Sequence, residues 1–209
     1  MSAREEILGR LNAGQRAVSP PPAWRSRRSF GNLAHRFLNT LRANKGEAYH
    51  ETDLPAAFER LDQLVKRLEA VRIVANDEPP LQGLAPASLW PEREWYVAGQ
   101  TEGEWRQLCA EADLGVSGAR AALAETGSVV LGSGPGQSRL ATLLPPVHIA
   151  LVAHSQLTTD IFTWLAARDG LLPANLVLVG GPSKTADIEQ TLAVGVHGPK
   201  QFIVVLYDD

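Results

Sequence analysis

The 209-residue sequence predicts an α/β domain whose sheet is mainly parallel and flanked by helices. Three observations carry this expectation. The segments His148–Ala153, Leu176–Val179 and Phe202–Tyr207 are nearly continuous runs of Val, Ile and Leu, and strands that do not alternate are buried on both faces, as in a helix-covered parallel sheet. The intervening segments Thr158–Arg168 and Thr185–Ala193 read as helices, giving a β-α-β-α-β order with right-handed crossovers. Apolar residues at 44% and charged residues at 21% sit close to globular averages, so the chain has enough apolar side chain for one sizeable core.

From the N-terminus, Ser2–Gly14 reads as a short helix, with Ile7, Leu8 and Leu11 at helical spacing and Glu5 and Glu6 where the helix dipole favours anions. Gly14 and the run from Ser19 to Pro22 end it, because proline cannot continue a helix. Residues 1–28 are therefore expected to form a basic, mobile arm, and residues 29–209 the α/β domain. Asn32–Asn44 places Leu33, Phe37 and Leu41 on one helical face. Glu47–His50 reads as a short strand. Asp53 caps a helix running to about Ala70, with Leu54, Phe58, Leu61, Leu64, Val65 and Leu68 inward.

Arg72–Ala75 is a short buried strand, Asp77–Pro91 an irregular proline-rich excursion, and Trp95–Ala98 a return to strand. Glu104–Glu111 is helical, Leu114–Ser117 and Ser128–Leu131 are strands, and the glycine-rich turn Gly132–Gly136 follows.

Charge and cysteine content narrow the function classes. Residues 1–45 carry a net charge of +7 and the remainder −10, for a total of −3. A basic arm on an acidic body suits docking on that body or on an acidic partner. No aromatic-interleaved basic face follows it, which argues against nucleic acid. The single cysteine, Cys109, excludes an internal disulfide and any iron–sulfur cluster held by the thiolates of this chain alone. Its place in a helix reads as a small core residue rather than a nucleophile. No stretch approaches the 18 or so apolar residues of a membrane span, and the secretory layout is missing, so a cytoplasmic protein is expected.

Three segments have the residue types that chemistry needs, and the βα loops beyond the carboxyl ends of the strands are where such a sheet is expected to bind ligands. In Ala124-Glu125-Thr126-Gly127-Ser128, Glu125 is either an acid, base or nucleophile at a pocket floor, with Thr126 and Gly127 as ligand-binding candidates, or a glutamate at a strand entry, with Thr126-Gly127 as the turn. The segment Gly180–Glu189 follows a strand and opens the helix expected over Thr185–Ala193. Its glycines allow close backbone approach, and free N–H groups at a helix start bind anions. Gly181, Ser183, Lys184 and Thr185 are its ligand-binding candidates. Lys184 opposes the dipole of that helix unless an anion is bound or the side chain turns to solvent.

The spacing of the segment is not that of a P-loop. In Gly195–Lys200, His197 is either presented at a rim for catalysis or a hydrogen-bonded structural residue. His148 and His154 bracket a strand without the helical i, i+4 partner of a zinc motif, so no metal site is expected.

Taken in order, Ala124–Ser128, Leu144-Pro145-Pro146-Val147-His148-Ile149, Gly181–Glu189 and Gly195–Pro199 resemble the signature of the LUD-domain family. The resemblance covers roughly residues 30–209. The N-terminal helix and the region near Phe37–Leu41 are similar to the lactate utilization protein C branch of that family. The resemblance implies a fold like that of CoA transferases, ribose-5-phosphate isomerase and 5-formyltetrahydrofolate cyclo-ligase. It also implies a role in oxidation of L-lactate to pyruvate beside two iron–sulfur partner proteins, and the chain is then expected to bind a small carboxylate or phosphate-bearing ligand. No cofactor is then expected on this chain by itself, and the clusters belong to the partners. Two other readings stay open: a stand-alone transferase or ligase acting on a CoA- or phosphate-bearing substrate with Glu125 in the chemistry, and a non-catalytic assembly or regulatory subunit docking through the basic arm.

Overall fold

The structure is a computed structural model that describes residues 3–14, 24–168, 172–186, 192–194 and 198–209. The N-terminal helix α1 spans Ala3–Gly14. Helix α2, Leu33–Ala43, begins where the Asn32 side chain accepts from the His35 N–H at 2.8 Å, and it buries Ala34, Phe37, Leu38 and Leu41. Strand β1, Glu47–Glu51, leads to helix α3, Leu54–Arg67. Asp53 caps α3 at the Ala56 N–H, Pro55 fits its first turn, and Lys66 and Arg67 complement the dipole in its last.

Strand β2 (Arg72–Ala75), the short helix α4 (Pro86–Leu89), strand β3 (Glu94–Val97), helix α5 (Trp105–Glu111) and strand β4 (Leu114–Ser117) follow. Next come β5 (Ala121–Leu123), β6 (Ser128–Gly132), α6 (Arg139–Leu143), β7 (Val147–Ala153), β8 (Leu157–Thr158) and α7 (Ile161–Ala166). The last elements are β9 (Leu176–Val179), β10 (Lys184–Ala186), β11 (Leu192–Val194) and β12 (Gln201–Tyr207).

The main sheet has six strands in the order β1-β12-β7-β4-β2-β3, and every pairing in it is parallel. Its central strands bury alternate residues on opposite faces. Ile149, Leu151, Ile203 and Val205 pack with Leu61, Leu64 and Val65 of α3. Ala150, Val152, Phe202, Val204 and Leu206 pack with Phe37, Leu38 and Leu41 of α2 and with Val129 and Leu131 of β6. Near the β2 end, Val74 meets Cys109 of α5 and Ala141 of α6.

A second sheet, ordered β8-β5-β6-β9, covers the α2 side. Its outer face, with Ala121, Leu123 and Val130, is closed by Ile161 and Trp164 at α7. Among the described residues, no helix is long and apolar enough to cross a membrane.

Two sequence expectations are corrected. Leu176–Val179 is not in the parallel sheet. It pairs antiparallel with β6 as the edge of the second sheet, and Leu178 is 45% exposed. A four-residue Leu/Val run serves an edge strand with one buried face as readily as a central strand, and four residues are too few to show the difference. The helix expected over Thr185–Ala193 is also overturned: Lys184–Ala186 and Leu192–Val194 form an antiparallel pair. Acidic residues after Ser183-Lys184-Thr185 resemble a first helical turn, but the β-branched Thr185 and Val194 favour the extended ladder.

Helices α2 and α3 end alike. The Gly46 N–H reaches back to Leu41 O at 3.0 Å and the Lys45 N–H to Arg42 O at 2.9 Å. The Ala70 N–H likewise reaches Val65 O and the Glu69 N–H reaches Lys66 O. Both are Schellman closures, which place a left-handed residue just past the helix. That residue is Lys45, with φ 72°, in one and Glu69, with φ 51°, in the other. Glu69→Gly relieves the left-handed strain and removes an anion from a helix C-terminus. It should raise the unfolding free energy by about 1 kcal/mol, read as a higher urea midpoint with an unchanged m-value; an equal or lower midpoint would contradict the closure.

Candidate functional site

The residues singled out in the sequence lie on four separate segments, and one residue outside them, Asn44 at the C-cap of α2, links two. Its side-chain amide donates to Thr126 O at 2.9 Å, and its carbonyl accepts from Lys184 Nζ at 2.7 Å. Gly181 lies against the same carbonyl: a Cβ there would come within 2.7 Å of Asn44 O. Glycine is required at that close approach, whatever ligand the loop takes. The Ser183 N–H donates to Pro199 O at 2.9 Å, and the Lys200 N–H donates to Pro146 O at 2.8 Å. The segments of Thr126, Pro146, Gly181–Lys184 and Pro199 thus form one continuous set of contacts.

Pro146 and Lys200 immediately precede β7 and β12, and Asn44 precedes β1. The cluster therefore lies at the amino edge of the parallel sheet, not at the carboxyl edge where ligands were expected. The reason is the second sheet. The chain leaves β4 at the carboxyl edge and folds back through β5, so that the β5–β6 turn returns to the C-terminal end of α2.

Gly127 makes that return possible: it has φ 64°, and its Cα sits so close to the helix that a Cβ would meet the Leu41 backbone. Glu125, at the start of the turn, is about one-quarter exposed and pairs with Arg28 Nη1 at 2.9 Å. It is not at the floor of a buried pocket. Its backbone N–H donates to Thr159 O, tying the turn to the segment before α7.

Lys184 does not stand at a helix start, because its segment is a strand. Its ammonium instead donates to the carbonyl of Asn44, the C-cap of α2, at the end of a helix that favours cations. The conflict that argued for a bound anion is therefore removed, and Gly181–Ser183 leads into a strand rather than opening a helix. Ser183 contributes its backbone N–H, and Thr185 its place in β10. His197 lies outside the described residues. Among the described residues, no group of three or more His, Cys, Asp and Glu side chains is arranged to hold a metal ion.

The arm is joined to the same region. The Trp24 ring packs edge-on against Phe162 with centroids 4.5 Å apart, and Arg28 meets Glu125. A Ser26 side-chain hydrogen bond helps hold the Asp160 carboxyl below its ordinary value, against the opposing effect of burial. Trp24, Ser26 and Arg28 thus make these contacts from the arm side of the boundary at residue 28.

A groove of about 880 Å³ lies elsewhere, between α3 and the 84–92 segment. Phe58, Leu84, Leu89 and Trp90 line it, and Glu59, Asp62, Lys66 and Glu92 rim it. It contains none of the candidate residues.

Sequence reasoning missed Asn44, which reads only as the last residue of a helix. It also missed Asn76 and Glu78, which follow β2 inside a stretch read as irregular. Polar residues directly after a short buried parallel strand were the available signal.

A six-stranded parallel sheet with α3 on one face, and α2 and a small second sheet on the other, defines an α/β protein. The LUD domain model matches residues 34–207, and the chain belongs to the LUD-domain family.

A protein from an Exiguobacterium strain named lactate utilization protein C is 39% identical over 152 residues, 70% of this chain and 65% of that protein. Proteins of the same name from Halalkalibacterium halodurans and Bacillus subtilis are 32% and 30% identical, each over 76% of this chain and 72% of their own length. A crystal structure of a DUF162 family protein from Deinococcus radiodurans superposes with a TM-score of 0.55 at 19% identity, covering 84% of this chain and 96% of that one. At that identity the likeness establishes the fold.

Proposed function

We propose that this chain is a component of an L-lactate utilization system, taking part in oxidation of L-lactate to pyruvate beside iron–sulfur partner proteins and binding a small carboxylate. The observation that carries this reading is the run of relatives named lactate utilization protein C, aligned over about three-quarters of the chain at 30–39% identity. The amino-edge cluster supports it in one respect: Thr126, Gly181, Ser183 and Lys184, drawn from distant motifs, are held together, with Lys184 as a cation at the surface.

Cys109 supports the assignment of clusters to partners. It is fully buried, and burial pushes its thiol up to about 12, so it is a thiol rather than the thiolate that binds iron. Oxidising lactate releases two electrons, which in this reading pass to the partners' clusters.

The test is growth on L-lactate. A strain lacking the chain should fail to grow on L-lactate and recover when the full chain is supplied, with iron–sulfur proteins co-purifying from those cells. Growth without the chain would overturn the reading, and turnover of an acyl-CoA by the purified chain would redirect it to transferase chemistry.

Glu125→Gln and Lys184→Ala are the informative variants. Each removes one exposed charge contact, so each should cost at most about 1 kcal/mol of stability. If Glu125 and Lys184 serve the ligand, growth on L-lactate should fall sharply while thermal midpoints stay within a few degrees. Normal growth of both variants would return them to the structural roles seen with Arg28 and Asn44.

A further inference from the structure

Helix α1 is 12 residues long, and a helix of that length is marginal in water unless one face is packed. Arg4, Ile7, Leu8 and Leu11 recur at the i, i+3, i+4, i+7 spacing of a single face. Yet Ile7 is 59% and Leu8 44% exposed. Among the described residues, no member of α1 joins any of the four hydrophobic clusters of the domain. The helix therefore offers an apolar stripe, with a cation at its N-terminal end, that its own domain does not cover.

The groove between α3 and the 84–92 segment matches that stripe in length, polarity and charge. It follows α3 from Pro55 to Lys66, about 16 Å at the helical rise, and α1 is about 18 Å long. Phe58 and Trp90 line it, and Leu89 lines it while staying 55% exposed. On the rim, Lys66 is paired with Asp62 at 2.7 Å, which leaves Glu59 and Glu92 to make the groove acidic. Arg4 is the complementary charge.

The chain's own α1 is held away from this groove. Trp24 packs on Phe162 of α7, and α7 covers the outer face of the second sheet. The second sheet lies on one face of the main sheet, and α3 with its groove lies on the other. With layers about 10 Å apart, the groove is roughly 30 Å from Trp24 straight through the domain, and further around it. The ten residue steps from Gly14 to Trp24 reach at most about 36 Å when fully extended. That leaves almost nothing for the detour, whereas the α1 of another molecule is under no such restriction.

We propose that two copies of this chain associate by exchanging α1, each helix lying in the α3 groove of the other copy. Ile7 and Leu8 then rest on Leu89, Phe58 and Trp90, and Arg4 faces the acidic rim. The arrangement is isologous, so it closes on itself and buries two helices rather than one. It concerns contact between copies, and it stands or falls apart from the pathway role.

Sedimentation velocity of the full-length protein over a wide concentration range tests the exchange. The wild type should form a dimer. Ile7→Asp combined with Leu8→Asp should weaken it by at least about a hundredfold, because each docked helix loses two buried aliphatic side chains. Leu89→Arg, at an exposed position that the core does not need, should weaken it by roughly tenfold or more from the groove side. Mixing the two variants joins the intact helix of one to the intact groove of the other. The mixture should form a heterodimer at concentrations where neither variant associates alone. Contact between two α1 helices, or between two grooves, would not be complemented in this way. A wild-type protein that stays monomeric throughout, a dimer untouched by either change, or a mixture that stays monomeric would overturn the proposal.

Discussion

Gly127→Ala should destabilise the domain by roughly 2–5 kcal/mol, the sum of about 1–2 kcal/mol for a left-handed backbone and about 1–3 kcal/mol for overpacking. Gly127 has φ 64°, a conformation in which a Cβ crowds its own carbonyl. Independently, that Cβ would lie 2.5 Å from Leu41 N, 2.8 Å from Thr40 C and 2.9 Å from Leu41 Cα. All three atoms belong to the backbone of α2, so no side chain can swing aside. Either the β5–β6 turn lifts from the helix or α2 shifts in its seat, and Leu41 is fully buried in the core that would open. Urea unfolding followed by circular dichroism measures the effect. A loss below 1 kcal/mol would mean that the turn does not rest on α2. The result also governs how functional data are read, because a growth defect in a Gly127 variant reports on folding before it reports on a ligand.

Acidification should destabilise the wild-type protein through His148 by about 1.4 kcal/mol per pH unit between pH 6 and pH 4, roughly 2–3 kcal/mol in all. His148 is fully buried in β7 with its ring 5.2 Å from that of Phe202, and burial pushes it down to about 3. Ser117 Oγ donates to Gly118 O at 2.9 Å, so the same oxygen accepts from His148 Nε2–H at 2.9 Å, and the ring is neutral.

The sign follows from proton binding. Below the ordinary histidine value near 6.5 the unfolded chain takes up a proton and the folded chain does not. Stability contributed by His148 is therefore present above pH 6.5 and is lost as the pH falls towards 3. The Glu78 carboxyl, pushed up by burial, acts in the opposite direction over its own range, and it cancels in a comparison with His148→Gln. That variant should be less stable at pH 7, where it loses a fitted ring, and should close the gap with wild type by pH 4. Parallel stability curves would show that His148 does not titrate on unfolding.

The legible parts of the fold are those whose pattern is local. Phe202–Tyr207 and Ile149–Ala153 are apolar at every position because both faces of each strand are covered, and both runs are central strands. Asp53 and Asn32 announce helix starts through side chains that cap within three residues. Leu176–Val179 looks identical in kind, and only its partner distinguishes it: β6 is antiparallel to it, and Leu178 is left exposed at the edge. Ala121–Leu123 and Leu157–Thr158, at three and two residues, are too short to show a period at all.

For the site, the motif residues Thr126, Gly127, Gly181, Ser183 and Lys184 were visible as glycine-rich polar breaks. Their common anchor, Asn44, was not, because its two bonds span 82 and 140 residues of chain. Asn76 and Glu78 were passed over for the same reason, since each is ordinary in its own segment.

By itself the sequence determined the class of the fold, the central strands, the capped helices, the lone buried thiol and the family, all of which depend on residue type and near-neighbour spacing. Tertiary structure alone decided that the chain after β4 folds back into a second sheet, that Lys184 lies in a strand and caps α2, and that the family motifs gather at the amino edge while Asn76 and Glu78 lie buried after β2. The physical reason is one of range. Helix capping and alternation act over two to four residues and are written in the sequence. Strand partners, register and polar pairs are settled by which distant surfaces can be buried together, and one short segment satisfies several such arrangements until the whole core selects among them.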